Sequence, residues 1–116
     1  MVNFDKVEFC SDAENFLEEL DNKTRSKVYY NIRKSQHIVD EKLFKKFDDE
    51  IWYFRTLYNR KHVRLFAFRH RSNDTETIVV ATSGYVKSTS KISVKEVKKA
   101  KSIRKRYLED LKNAKK

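Results

Sequence analysis

The chain contains no proline and one glycine, Gly84, among its 116 residues. Flexible linkers depend on glycine, serine and proline, so this composition predicts no linker, and it excludes a glycine-rich loop for nucleotide phosphates. No internal repeat is visible. Because 39% of the residues are hydrophobic, a chain of this length can bury a core, and we expect a single domain over residues 1–116.

Cys10 is the only cysteine, which excludes an internal disulfide bond. It follows Phe9 at the end of an apolar stretch, and this position predicts a buried structural thiol. The histidines, His37, His62 and His70, lack the spacing of metal ligands, so we expect no metal and no cofactor. No segment approaches the ~20 apolar residues of a membrane span, and the N-terminus does not resemble a signal peptide. We therefore expect a cytoplasmic protein without a membrane partner.

Positive charge is concentrated in the second half of the chain. Residues 1–50 contain 9 basic and 12 acidic residues, whereas residues 51–90 contain 7 and 2, and residues 91–116 contain 11 and 3. The net charge of +10 favours a polyanionic partner, although a merely basic surface is the simpler alternative.

The first part of the chain predicts one strand and two helices. Residues 2–9 alternate loosely between apolar and polar side chains, as in a strand. Ser11 and Glu14 have the spacing of a capping box at a helix start. A second helix is expected over residues 23–38, followed by a short helical turn within residues 40–47. Two helices joined this tightly predict an antiparallel hairpin.

Three strands and a basic helix follow. Alternating residues predict strands near 51–57, 62–68 and 77–87, with a turn at Ser72-Asn73-Asp74 between the last two, and Ser93 is expected to cap the last helix. The second strand is apolar on both faces in its middle, which predicts a central strand. If no bulge intervenes at Gly84, one face of the third strand carries Thr77, Val79, Ala81, Ser83, Tyr85 and Lys87. The expected fold is α+β in the order β-α-α-β-β-β-α, with a small antiparallel sheet packed on the N-terminal helical hairpin.

Cations occur near the ends of these strands. Arg55, Arg64 and Lys87 have the chemistry needed to bind a phosphodiester and to stabilise charge that develops on its oxygens. Tyr85 is positioned to stack on a base. We interpret these four residues as a candidate catalytic site acting on RNA. The alternative is that the cations are merely solvated and that Tyr85 packs in the core.

Other residues are candidates for binding RNA without a catalytic role. They are His62, Lys61, Arg71, Thr89 and Lys91. The lysine-rich final helix is either a solvated surface or a contact for an RNA backbone.

The second half of the chain resembles the RelE/ParE toxin superfamily, and most closely its phage-derived, HigB-like branch. The resemblance rests on Ile51-Trp52-Tyr53-Phe54-Arg55, Val63-Arg64-Leu65-Phe66, Gly84-Tyr85-Val86-Lys87-Ser88-Thr89, and Val94-Lys95-Glu96-Val97 with Ala100. The order and spacing of these motifs are more specific than any one of them. The predicted hairpin over residues 11–47 also lies where the family has one.

The resemblance implies a microbial-RNase-like (RelE-like) fold and ribosome-dependent cleavage of mRNA. It also implies inhibition by a cognate helix-turn-helix antitoxin. The family's site residues correspond to Arg55, Arg64 and Lys87, with Tyr85 in the aromatic position and His62 as a minor candidate for proton transfer. Ser88 replaces a common second lysine, which leaves one cation fewer for the transition state and predicts weak or no cleavage. A ParE-like inhibitor of DNA gyrase and a non-catalytic module that binds RNA or the ribosome remain as alternatives.

Overall fold

The protein is an α+β structure with a five-stranded mixed sheet and three helices, as described by a computed structural model for residues 2–72, 75–89 and 91–114. The elements are β1 (Lys6–Phe9), α1 (Ser11–Glu19), α2 (Asn22–His37), β2 (Phe44–Lys46), β3 (Trp52–Tyr58), β4 (Lys61–Ser72), β5 (Glu76–Lys87) and α3 (Val94–Ala114). Their order in the sheet is β1-β5-β4-β3-β2. The predicted turn residues Asn73 and Asp74 lie outside the described residues.

The sheet lies between two helical layers, because alternate residues of its strands face opposite sides. On one side α1 and α2 pack against a buried cluster that includes Leu17, Val28, Phe54 and Leu65. On the other side α3 packs against a second cluster that includes Tyr53, Phe66, Val97 and Ala100. Both faces of β4 are therefore covered in the middle of the strand, as its continuous apolar sequence predicted.

The N-terminal helices differ from prediction in how they begin. Helix α1 starts at Ser11 with Cys10 as its N-cap, and no side chain caps it, so the predicted capping box is wrong. Helix α2 starts as expected, since the Asp21 carboxylate accepts a hydrogen bond from the Thr24 amide at 2.9 Å. Within the described residues, no helix is long and apolar enough to cross a membrane.

The turn predicted to start at Asp40 forms over residues 41–43, where the Asp40 side chain accepts a hydrogen bond from the Lys42 amide, but a short strand replaces its predicted continuation to residue 47. Residues Phe44–Lys46 form β2, which pairs in antiparallel fashion with β3. The Phe44 ring stacks on Trp52 at 5.0 Å and on Phe54 at 4.3 Å between ring centroids. Burying this ring against β3 favours the extended backbone over a further helical turn.

The sheet is not purely antiparallel, which corrects a second expectation. Strand β1 pairs in parallel with β5, in a register that runs from Lys6–Ile78 to Phe9–Ala81. A parallel pair requires a long crossover connection, and here the rest of the chain between β1 and β5 supplies it.

A bulge in β5 changes which residues share a face. The partners of Phe66 and Ala67 on β4 are Ser83 and Ala81, so Thr82 is the extra residue. Residues before the bulge and residues after it therefore alternate in opposite phase. The single face predicted for residues 77 to 87 is wrong, since Thr77, Val79 and Ala81 face α1 and α2 whereas Ser83, Tyr85 and Lys87 face the side of α3.

Gly84 lies against the Phe16 ring of α1. A Cβ atom at this position would clash with the Phe16 ring of α1 and would lie 2.9 Å from the carbonyl oxygen of Arg64. The glycine therefore allows α1 to pack against β5 beside the strand that carries Arg64.

Salt bridges attach α3 to the connection between β2 and β3. The Lys101 ammonium pairs with Asp48, and the Arg104 guanidinium lies 3.1 Å from the Glu50 carboxylate. At the helix start, the Ser93 hydroxyl oxygen accepts a hydrogen bond from the Glu96 amide at 3.4 Å, as its predicted role as a cap requires.

Candidate functional site

The strand register brings Arg55, Arg64 and Tyr85 into one row across the sheet. Arg55 on β3 is the direct partner of Arg64 on β4, and Arg64 is the direct partner of Tyr85 on β5. Side chains at directly opposed positions lie about 4.5–5.5 Å apart at their Cβ atoms. We call these three residues the arginine row.

A second row lies two residues further along the strands. Leu57 is the partner of His62, and His62 is the partner of Lys87. Leu57 and Lys87 are exposed, and His62 is partly buried. We call these three residues the outer row. The two rows bring the predicted residues Arg55, Arg64, Lys87, Tyr85 and His62 onto one face of the sheet.

Two local features produce this alignment. The connection between β3 and β4 is a tight turn in which Asn59 and Arg60 both have positive φ, at 52° and 64°. Two consecutive residues of this kind form the type I′ turn that fits the twist of a hairpin, and this turn sets Arg55 opposite Arg64. The bulge at Thr82 then sets the phase of β5, so that Tyr85 and Lys87 face the same side.

The two arginines differ in their surroundings. Arg64 is only 3% exposed, and its guanidinium carbon lies 5.6 Å from the centre of the Tyr53 ring. Arg55 is partly exposed, and its guanidinium donates a hydrogen bond to the carbonyl oxygen of Glu41 at 3.2 Å. Arg64 is thus held within the protein, whereas Arg55 is oriented at its surface.

A cleft of about 280 Å³ opens beside the arginine row. Its charged and titratable lining consists of Lys42, Arg55, His62 and Arg64, and Leu57 contributes an apolar wall. Among the described residues that line it, none is acidic. Lys87 does not line the cleft and stands beside it on β5. Such a concave, positively charged surface is suited to a phosphate group.

Tyr85 has a structural contact that its sequence position did not predict. Its hydroxyl oxygen accepts a hydrogen bond from the backbone amide of Ser93 at 2.9 Å, just before α3. Its ring stacks on Phe66 with centroids 5.7 Å apart, and the Lys87 amine lies 5.9 Å from the ring centre. Tyr85 therefore connects the candidate site to the start of α3.

The remaining predicted RNA-binding residues are not gathered at this site. Lys61 is next to His62 on β4, so it faces the opposite side of the sheet, toward α1 and α2. Hydrogen bonds from Thr24 lower the pKa of Asp21, and the positive charge of Lys61 lowers it further. Arg71 is seven residues from Arg64 on β4, which places it about 23 Å away along an extended strand.

Thr89 and Lys91 lie between β5 and α3, and both are exposed. They follow Lys87 along the chain but line no part of the cleft. Sequence reasoning missed Lys42, because the stretch around it was assigned to a short turn with no functional role. Its charge and its position just before Phe44 were the only available signals.

Arg69 shows how a strand arginine serves the fold instead. It faces α1 and α2, where its guanidinium donates to the carbonyl and side-chain oxygens of Asn3 at 3.2 and 2.9 Å. The guanidinium carbon also lies 4.5 Å from the Trp52 ring centre, and burial lowers the pKa of Arg69. This arginine connects the N-terminal segment to β3 and β4.

A second cavity, of about 470 Å³, lies between the start of α1 and the later turns of α3. It is lined in part by Cys10, Lys99 and Arg106, and by none of the residues of the two rows. Cys10 is partly buried, so the prediction of a buried structural thiol is confirmed only in part. Burial, followed by nearby acids, raises the pKa of its thiol, so the reactive thiolate is disfavoured.

The amino-acid sequence of this chain matches one known protein family. The family described as Phage derived protein Gp49-like (DUF891) matches residues 15–105. The chain belongs to this family, whose members are related to RelE and toxin-type proteins. The matched region includes both rows and most of α3. No significant match to a curated protein or to a solved structure was found.

Proposed function

We propose that this protein is a HigB-like toxin of a type II toxin–antitoxin system with RelE-like topology. In this proposal it cleaves mRNA on the ribosome, in the cytoplasm, as an endoribonuclease. The observation that carries the proposal is the alignment of Arg55, Arg64 and Tyr85 across three neighbouring strands, with His62 and Lys87 in the adjacent row. Membership of a family related to toxin-type proteins supports it.

The proposed reaction is attack of an RNA 2′-hydroxyl on the adjacent phosphorus. The new bond joins the 2′ oxygen to phosphorus, and the bond from phosphorus to the 5′ oxygen breaks. A proton leaves the 2′-hydroxyl, and another reaches the departing 5′ oxygen. Negative charge builds on the phosphate oxygens during this exchange, so cations placed beside them stabilise the transition state.

Each residue of the site has a role in this proposal. Arg55 and Arg64 bind and neutralise the phosphate, because guanidinium groups stay charged and match phosphate geometry. Lys87 stabilises charge at the departing oxygen or transfers a proton, and His62 is a second candidate for proton transfer. Tyr85 positions a base with the exposed part of its ring and holds α3 through its hydroxyl.

The surface of α3 is suited to the ribosome as a partner. Its exposed cations are Lys95, Lys98, Lys99, Lys105, Arg106 and Lys112. Lys101 and Arg104 are instead paired with acids of the β2–β3 connection. The exposed set would supply salt-dependent attraction to the RNA backbone, while residues of the two rows perform the chemistry. A helix-turn-helix antitoxin is the proposed inhibitor.

Cleavage of ribosome-bound message by the Lys87→Ala variant tests the proposal. Lys87 is exposed, so its truncation should leave the fold intact. We expect wild-type protein to cut the message and Lys87→Ala to lose roughly 10²-fold in rate, with ribosome affinity nearly unchanged. Lys34→Ala, an exposed lysine of α2, is the matched control and should cleave at the wild-type rate.

Two other outcomes would support the alternatives. Inhibition of gyrase supercoiling with intact message would indicate a ParE-like poison. Tight ribosome binding without cleavage would indicate a non-catalytic module. That second possibility has an observation in its favour, because Arg64 is almost completely buried and Ser88 replaces the common second lysine.

A further inference from the structure

Leu57 is an apolar side chain in a cationic setting. It lies on β3 and is 64% exposed. A single exposed leucine is ordinary on a protein surface. The unusual feature is its position, because Leu57 forms a wall of the cleft that also contains Arg55, His62 and Arg64.

The spacing of the two rows matches the dimensions of one nucleotide. Leu57 is two residues from Arg55 on the same face of β3, which corresponds to about 6.6 Å along the strand. His62 stands directly opposite Leu57 on β4. A phosphate bound at the arginine row would therefore place the attached sugar and base over Leu57 and His62.

The chemistry of this position favours a nucleobase over a second phosphate. Contact with an aliphatic side chain does not stabilise a bound phosphate. The flat apolar face of an unpaired base, by contrast, can pack against such a side chain. In single-stranded RNA such faces are free, and proteins recognise them by stacking and apolar contact. An imidazole beside the leucine extends the same platform.

Resting on the proposed function, we propose that Leu57 is a specificity-determining residue that contacts the base next to the scissile phosphate. The substrate class is single-stranded RNA with an unstacked base at this point. An aliphatic contact offers no hydrogen bonds, so it discriminates by contact area. Larger purine bases are therefore favoured over pyrimidines at this position.

The test uses a ribosome-bound message that carries 2-aminopurine at the target position and a 2′-deoxy sugar at the scissile step. This message binds but cannot be cut through a 2′-hydroxyl. We expect wild-type protein to change the 2-aminopurine fluorescence. Leu57→Ala should weaken the apparent affinity of this response roughly tenfold, within the range for loss of one base contact.

Two variants separate a base contact from a general disturbance. Leu57→Met keeps the apolar surface and should bind within about twofold of wild type. Val39→Ala truncates another exposed apolar residue, one that is 83% exposed and outside the cleft, and should have no effect. With an all-ribose message, Leu57→Ala should also lower the preference of cleavage for purines.

Several results would overturn the inference. One such result is the absence of a 2-aminopurine fluorescence response with wild-type protein. Another is a Leu57→Ala variant whose affinity for the message and preference for purines equal those of wild type. Weakened binding of a protein partner with unchanged RNA response would also overturn it. A Leu57-dependent response with an uncut all-ribose message supports the base contact and contradicts only the proposed cleavage.

Discussion

Arg55 and Arg64 stand directly opposite each other on β3 and β4. Like charges at directly opposed positions destabilise a sheet. In the proposed function, a bound phosphate would offset the repulsion between Arg55 and Arg64. The expected cost of the repulsion is about 0.2–1 kcal/mol.

Arg55→Gln tests this relationship, because it removes one charge and keeps a long side chain with a hydrogen-bond donor. We expect an unfolding free energy equal to wild type or up to about 1 kcal/mol higher, with cleavage reduced roughly 10²-fold. Urea denaturation and the cleavage assay on the same preparation measure both. Arg33→Gln, at an exposed position of α2, is the control. Loss of stability in parallel with activity would contradict the account.

Gly84→Ala should destabilise the protein by about 1–3 kcal/mol, as expected for overpacking. The new methyl group meets the Phe16 ring and the backbone carbonyl of Arg64. The double variant Gly84→Ala/Phe16→Ala removes the ring and so relieves the first clash. The second clash remains, because the Arg64 carbonyl is part of the sheet backbone and cannot move away. Denaturation of the single and double variants gives the coupling between the sites. Strictly additive effects would show that the glycine and the ring are not in contact.

Arg60→Gly should stabilise the turn between β3 and β4. Arg60 has a φ of 64°, a conformation that costs an L-residue with a side chain roughly 1–2 kcal/mol and costs glycine little. Part of that gain is offset by the greater freedom of glycine in the unfolded chain, so we expect a net increase of about 0.5–1 kcal/mol. Thermal unfolding measures it. A lower melting temperature would mean that the turn does not have this backbone conformation.

The attachment of α3 should weaken in acid. Partial burial acts to raise the pKa of Asp48, but hydrogen bonds from Lys101 and from the backbone amides of Glu50 and Ile51 outweigh it and lower the pKa below its ordinary 3.8. A lowered folded-state pKa means that the carboxylate contributes stability above about 3.8, and that this contribution is lost as the pH falls through the lower value.

Asp48→Asn isolates the charge in this contact, because its amide oxygen can still accept the backbone hydrogen bonds. We expect a modestly lower melting temperature than wild type at pH 7 and a smaller difference at a pH below 3.8, because the Asp48 carboxylate loses its charge as the pH falls through its lowered pKa. Asp49→Asn is the control, because Asp49 is fully exposed and pairs with Lys46 at the surface, away from α3. An equal difference at both pH values would show that the charge does not act there.

The shared face of Arg55 and Arg64 could be predicted from the sequence. Alternation within each strand places every second residue on one side, and the turn between the strands determines their register. The continuous apolar sequence of β4 likewise predicted a central strand. These features depend on residues close together in the chain.

Features that depend on distant residues were not predictable in this way. Strand β2 has only three residues, and Phe44 becomes extended because it stacks on β3. The bulge at Thr82 has no local sequence signal, and the lone glycine pointed to a position two residues away. The hydrogen bond from Ser93 to the Tyr85 hydroxyl depends on where α3 crosses the sheet.

The chemical ends of the cut message test the central claim most directly. Attack by the 2′-hydroxyl leaves a 2′,3′-cyclic phosphate on the upstream fragment and a 5′-hydroxyl on the downstream fragment. We predict these ends for ribosome-bound mRNA treated with wild-type protein, and little cleavage with Lys87→Ala. A 3′-hydroxyl with a 5′-phosphate, or full activity in the Lys87 variant, would contradict the claim that this basic surface cleaves RNA by this route.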